Sequence, residues 1–556
     1  MSSKHNIRIY IVNTGDVVEA EGGDNLCSLL TKLSAPLGFV PICALVNNRV
    51  ESLRFPLFMP KTVEFLPPSH RCSRRVLTRS LCMMLYKAVT EVHPQARLVM
   101  EHSISHGYIG RLFALDGSGP VKPDTDALLA AMRRIAAEDL PFRRYEDRTD
   151  EVVRRLKEQH LDSSALLLET MRELYTVYYT LDGVADIYHG PMAPSTGYMK
   201  VFNIVPHYEG MLLLPPDSED ESVPAKPINQ PKMHEAFQEH LRFNRIVGVK
   251  DVGELNRAVD YNHSSALINI SEALHSKKLA RISDMIAERK AKVVMIAGPS
   301  SSGKTTTSKR LGIELMTNLL RPKLISLDDY FVDRDKTPRD FNGDYDFESL
   351  YALDLERLNS DLNALLKGDE INLPTYSFEH GRRIEKERPL KLASDEVLVI
   401  EGIHGLNPEL TSAVDSDSVF KVYVSALTTL ALDDHSWIPT SDNRLIRRIV
   451  RDHKYRHTSA LETIRRWDSV QRGEQKWIFP FQENADATFN SSLLYELAVM
   501  KNYAEPLLKQ VPHDIEEYCE ASRLLRFLGC FRPIDEKLIP STSLLREFLG
   551  GSSFHY

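Results

Sequence analysis

No stretch of this chain approaches the roughly twenty consecutive apolar residues that crossing a bilayer requires, so no membrane-spanning helix is expected. Cysteine is scarce. The six present (Cys27, Cys43, Cys72, Cys82, Cys519 and Cys530) never fall in a CxxC spacing, which argues against a disulfide framework and reads as reduced thiols in the cytoplasm. The opening MSSKHNIRIY lacks the apolar core of a signal peptide, and cytoplasmic location is the expectation. Positive charge is not in excess either: 69 Lys and Arg face 77 Asp and Glu, a formal charge of −8, so a nucleic-acid partner is not expected. What remains, 42% hydrophobic and 26% charged over 556 residues, suits a globular protein of about three to four domains.

The chain opens with Ile7, Ile9 and Ile11 alternating with polar neighbours, the period of a strand with one buried face. Asp24 is placed to cap a helix carrying Leu26, Leu29, Leu30 and Leu33, and short strands are expected near 41–46 and 62–66, a compact β-grasp order. Mixed α/β pattern continues to about 214. Within it His102 and His106 stand at i, i+4, the spacing that shares a helix face, but two histidines leave a tetrahedral metal site half built. Residues 215–232 concentrate Pro, Ser and acids, as a solvated linker does, and helical spacing fills 233–290.

The chemistry gathers further on. Val293–Ala297 is a wholly apolar run that leads into Gly298-Pro-Ser-Ser-Ser-Gly303-Lys304-Thr305, an unbroken GxxxxGK[ST] loop followed by helical pattern at 306–320. In such a loop Gly298, Ser300, Ser301, Ser302, Gly303 and Thr306 offer backbone N–H groups to phosphates, Lys304 reaches the β- and γ-phosphates, and Thr305 can ligate Mg²⁺. The acid pair Asp328-Asp329 ends the next strand pattern, where open α/β sheets place ligands, and a carboxylate there can take a proton from an acceptor hydroxyl. Glu401 ends the apolar run 396–400 and is placed to hold Mg²⁺. Arg444, Arg447, Arg448 and Arg451 make an all-cation helical stripe, read as an unneutralised lid that clamps phosphates. The segment Pro374–Arg383 sets Tyr376, His380 and Arg382 in a loop bounded by Pro and Gly that could stack on a flat acceptor.

Taken together, 291–500 resembles the uridine kinase and phosphoribulokinase family. The resemblance implies Asp328 as catalytic base, Asp346 as a ribose-binding acid, Pro374, Tyr376 and Phe378 as a base-contacting loop with His380 one residue early, and the lid on Arg444, Arg447, Arg448 and Arg451. The front is similar to the TGS domain (1–68) and the additional domain (69–214) of threonyl-tRNA synthetases. In the second of these, Tyr188 and Met192 stand where that family has a Cys and a His, with His189 beside them.

The expected architecture is therefore α/β: a β-grasp domain, an α+β domain, a linker (215–232), a helical connector (233–290), a P-loop NTPase kinase domain on a parallel sheet (291–505) and a helical tail (506–556). No chemistry was legible in the tail, which was expected to pack on the kinase domain or to make a homo-oligomer contact. The function implied is transfer of the ATP γ-phosphate, with Mg²⁺, to a ribose hydroxyl of a uridine- or cytidine-like nucleoside. Catalysis would rest on Asp328, Lys304, Arg447 and Arg451. Another sugar or sugar phosphate is the alternative acceptor, kept open by Arg334, Arg339, Arg382 and Arg383. A nucleotide-switch protein linked to RNA is the alternative of a different class.

Overall fold

The computed structural model describes residues 6–339, 343, 345–377, 380–384 and 386–555. Phe378, which entered the sequence reading, lies outside the described residues. At the front, Asn6–Ile11 pairs antiparallel with Val17–Glu21 and parallel with Lys61–Leu66, in a five-stranded sheet that ends in Cys43–Val46 and Arg49–Ser52. Ile9 and Ile11 are fully buried, as the alternation requires. The helix cap is Asn25, not Asp24. The Asn25 side chain accepts from the Ser28 N–H at 3.1 Å, while Asp24 pairs with Lys32 at 2.9 Å, and the helix closes at Leu30.

The second unit folds a helix, Arg71–Val92, against an antiparallel sheet built on Ala96–Ile104 and Gly107–Ala114. His102 and His106 lie on this hairpin rather than on a helix. Ser105 and His106 take positive φ values of 52° and 62° at its turn. His102 is buried and stacked on Phe237 at 3.7 Å, His106 is exposed, and burial pushes the His102 pKa down to about 3. Among the described residues no group of three or more His, Cys, Asp or Glu is placed to hold a metal. Three helices, Pro231–Val247, Val252–Asp260 and Ser264–Arg289, then lead into the last domain.

Its sheet is five parallel strands in the order Arg321–Ser326, Glu396–Glu401, Val293–Ala297, Val419–Ser425, Ala487–Asn490. Val293–Ala297 lies at the centre and is wholly buried, which is why it reads as a continuous apolar run. No helix among the described residues is long and apolar enough to cross a membrane.

The halves are fastened by buried charge. The loop between Val419–Ser425 and the helix Thr440–Arg456 enters the second unit, where His435 meets Asp186 at 2.6 Å, Asp433 meets His189 at 3.0 Å and Asp434 meets Arg97 at 3.3 Å. His189 thus forms an ion pair, and Tyr188 and Met192 pack in the core. From the other side the helix Tyr518–Gly529 brings Glu520 to Arg75 and Arg523, both at 2.6 Å, and Arg523 carries the chain of charges on to Asp442. Beside it the free thiols of Cys72 and Cys519 stand 3.2 Å apart.

Burial alone would raise the Glu520 pKa, but Arg523 and Arg75 outweigh it and hold the carboxyl well below its usual 4.5. A depressed carboxyl contributes stability above its unfolded pKa and loses it as the pH falls below that value. Glu520→Gln is therefore expected to cost about 3 kcal/mol in urea unfolding at pH 7, since it strands Arg75 and leaves Arg523 on Asp442 alone, and the gap to wild type should narrow below pH 4.

Candidate active site

Parallel strands end along one edge, and the loop 298–305 leaves the central strand there. Gly298 has no substitute: a Cβ would lie 1.9 Å from the Val424 carbonyl oxygen. Gly303 opens the following helix, Lys304–Thr317, with φ +85°. The hydroxyls of Ser301 and Ser302 are buried with no hydrogen-bond partner among the described residues, as expected of groups awaiting a ligand. Lys304 turns back over its own loop, its Nζ donating to the Pro299 carbonyl at 3.1 Å.

The Thr305 hydroxyl donates to Glu401 Oε1 at 3.3 Å, and Ser326 Oγ reaches the same oxygen at 3.5 Å. Register places Glu401 beside Ile296 and Ser326 at the ends of adjoining strands. Burial pushes the Glu401 pKa up to about 7, with Lys304 opposing. Thr305 and Glu401 are hard oxygen donors of the kind Mg²⁺ takes; with so few protein ligands, its remaining positions would fall to water and phosphate oxygens.

Asp328 opens a short 3₁₀ turn, Leu327–Tyr330, where Ser326 Oγ accepts its N–H at 3.2 Å. The motif alone allows either acid of the pair, and the family resemblance implies Asp328. Asp329 is neutralised by Arg388 at 2.9 Å, whereas the Asp328 carboxylate has no hydrogen bond or ion pair among the described residues. Crowding by protein atoms raises the Asp328 pKa, and Lys304 and Arg456 oppose that rise. Arg456, which the motif reading did not single out, is itself exposed and paired with Asp452 at 3.4 Å.

Beyond Asp328 stands an aromatic wall. Tyr376 is buried with its ring 5.6 Å from Phe331, Phe347 lies 6.4 Å beyond Phe331, and Tyr345 stands 5.9 Å from Phe347. Asp346, between the last two, accepts the Glu348 N–H at 3.2 Å and so closes its own turn. His380 and Arg382 stand exposed outside this cluster, Arg382 where Tyr376–Ser377 pairs antiparallel with Arg382–Arg383. Arg383 is tied to Asp354 at 2.9 Å and to the Phe331 carbonyl at 3.2 Å.

The lid helix, Thr440–Arg456, corrects the expectation of unneutralised arginines. Arg444 pairs with Glu474 through both arms, Arg447 with Glu496, and Arg448 and Arg451 with Asp452 at 3.2 and 2.8 Å. Arg444 and Arg447 are almost wholly buried, and a buried guanidinium without a counter-ion costs several kcal/mol. Glu474 and Glu496 come from other elements, so spacing within the helix gives no sign of them, whereas Asp452 lies on the helix itself. The helix still grips the phosphate loop. Arg444 and Arg448 donate to the Ser300 carbonyl and hydroxyl at 3.1 and 2.8 Å, and Arg447 donates to the Ser301 carbonyl at 3.4 Å. Arg451 is held on Asp452 alone among these groups.

Three acids at the loop carried no motif and were missed. Glu474 accepts the Ser300 N–H at 2.9 Å; Glu547, from the tail, accepts the Thr306 N–H at 3.1 Å and the Thr306 hydroxyl. Glu348 sits near Lys304 with its pKa pushed up to about 7, by burial first and then by Glu474.

The description Phosphoribulokinase / Uridine kinase family matches residues 293–493. A uridine kinase of Schizosaccharomyces pombe is 31% identical over 198 residues, which is 35% of this chain and 38% of that protein. The chain thus spans little more than a third of that relative's length. A uridine kinase of Ligilactobacillus salivarius is 31% identical over 202 residues, covering 36% of this chain and 84% of that protein. A threonine–tRNA ligase of Desulforamulus reducens is 25% identical over 193 residues, 34% of this chain and 30% of that protein.

A carboxyl with a pKa of about 7 must lose its proton to take a metal. Mn²⁺ titrated into the nucleotide-free protein and followed by electron paramagnetic resonance should bind about tenfold tighter at pH 8 than at pH 6. In Glu401→Gln both the binding and its pH dependence should be lost.

Proposed function

This chain belongs to the phosphoribulokinase/uridine kinase family, and from that premise we propose that it is a Mg²⁺- and ATP-dependent phosphotransferase whose acceptor is a ribose hydroxyl of a pyrimidine nucleoside. One observation carries the reading: Lys304, Thr305, Glu401 and an Asp328 with no ion pair among the described residues converge at the ends of adjoining parallel strands. There a phosphate donor and a proton acceptor are needed within reach of each other.

Lys304 would leave the Pro299 carbonyl for the β- and γ-phosphates, and Ser301 and Ser302 would supply their unpartnered hydroxyls. Thr305 and Glu401 would hold Mg²⁺, which when bound would neutralise charge on the phosphates. Asp328 takes the proton of the acceptor hydroxyl as its oxygen bonds to the γ-phosphorus. The bond to the β–γ bridging oxygen breaks, and ADP leaves with the electron pair. Crowding raises the Asp328 pKa against the opposing charges of Lys304 and Arg456, and a rise of that sign strengthens a carboxylate as a base. The rings of Phe331, Phe347 and Tyr376 suit a flat base, and Asp346 beside them suits ribose hydroxyls. With Arg383 committed to Asp354, fewer cations are left for a sugar-phosphate acceptor.

A nucleotide-switch reading gains from the acids already seated on the loop amides, Glu474 and Glu547. Purified protein incubated with Mg-ATP and a panel of nucleosides, sugars and sugar phosphates separates the readings by chromatography. A nucleoside monophosphate is expected; ATP bound with no acceptor phosphorylated would favour the switch. Asp328→Asn should lower turnover by about 10²- to 10⁴-fold while ATP still binds. Phe347→Ala should raise the acceptor KM and leave the ATP KM in place.

A further inference from the structure

The tail returns to the phosphate loop after passing the front domain. Its last buried stretch, Ser543–Gly550, is anchored where Ser543 Oγ lies 3.4 Å from the Tyr495 hydroxyl, and Leu544, Leu545 and Phe548 are fully buried. Leu544 sits on the loop itself: a Cβ on Gly303 would meet its side-chain carbons at 2.8 to 3.0 Å. Phe548 lies under the Arg447 guanidinium at 5.1 Å, and Lys454 donates to the Leu549 carbonyl. Between these apolar anchors Glu547 places its carboxylate on the N–H and hydroxyl of Thr306.

The first turn of a helix after a GxxxxGK[ST] loop is an anion site, because its N–H groups have no partner within the helix and the helix dipole favours negative charge. Nucleotide phosphates use those N–H groups. One N–H cannot serve a carboxylate and a phosphate together. Residues 543–550 lie beyond the matched segment 293–493, so nothing in that match assigns them a part in the site.

We propose that Ser543–Gly550 is a further part of the donor site and sets its affinity: Glu547 stands in for a nucleotide phosphate at Thr306, and strap and nucleotide exclude each other there. This rests on the reading of the phosphate loop as a nucleotide site. The ligand-free chain keeps its loop amides satisfied by its own acid. The apparent affinity for nucleotide is the intrinsic affinity reduced by the fraction of molecules with the strap displaced. Glu474 on Ser300 does not share this part, since it is locked to Arg444 within the lid pair.

The competing account is that Glu547 only caps the helix Lys304–Thr317. Full-length wild type, Glu547→Ala, Glu547→Gln and Lys304→Ala, titrated calorimetrically with Mg-ATP, separate the two. Loss of the competing carboxylate should tighten Mg-ATP binding about tenfold in Glu547→Ala. Glu547→Gln, which keeps the shape and drops the charge, should recover much of that gain, and Lys304→Ala should abolish binding. Unchanged or weaker binding in both Glu547 variants, with a lowered melting temperature and binding that still depends on Lys304, would overturn the strap and leave the nucleotide site standing. Binding that is absent in every variant, or indifferent to Lys304, would overturn the nucleotide reading and the strap with it.

Discussion

Everything at this site answers to one requirement: N–H groups of the loop and of the first helical turn after it, those of Ser300 and Thr306 above all, need negative charge. A helix N-terminus left without an anion forfeits the hydrogen bonds of its first turn. The chain meets the requirement from two directions, with Glu474 at Ser300 and Glu547 at Thr306. The same demand explains the surrounding basic groups. Acids concentrated at a phosphate loop need cations to hold them, and Arg444 and Arg448 serve both the acids and the loop at once.

The lid helix therefore connects charge systems rather than presenting bare cations. At its centre Arg447 is fully buried on Glu496. At its start Asp442 is bound to Arg523, which leads through Glu520 to Arg75 of the second unit. The loop just before the helix is held by Asp186, His189 and Arg97 of that same unit. The front of the chain thus grips the lid at its root, and the tail passes over its far face to the phosphate loop. Buried ion pairs of this kind add little net stability over apolar packing, but they are costly to break, so they fix relative position.

Much of the catalytic domain was legible because its signals are local. An apolar run, a glycine-bounded loop and an acid at a strand end each sit within a few residues, and Val293–Ala297, Lys304, Thr305, Asp328 and Glu401 are where those patterns put them. What escaped was non-local. The pairing of Asp329 with Arg388, which sets it apart from Asp328, spans 59 residues. The neutralising acids Glu474 and Glu496 lie 30 and 49 residues from their arginines. Glu547 is 241 residues from Thr306, in a tail whose spacing shows only a helix. At the front, His102 and His106 have helical spacing, yet the chain between them turns a hairpin, because strand pairing with Gly107–Ala114 outweighs so weak a local signal.

Hydrogen–deuterium exchange with and without Mg-ATP tests the account at its centre, since it follows loop and tail in one experiment. Nucleotide should slow exchange across 298–306 and, in the same sample, speed exchange across 541–550, because the two compete for the Thr306 amide. Slower exchange in both segments, or no change in either, would contradict the account.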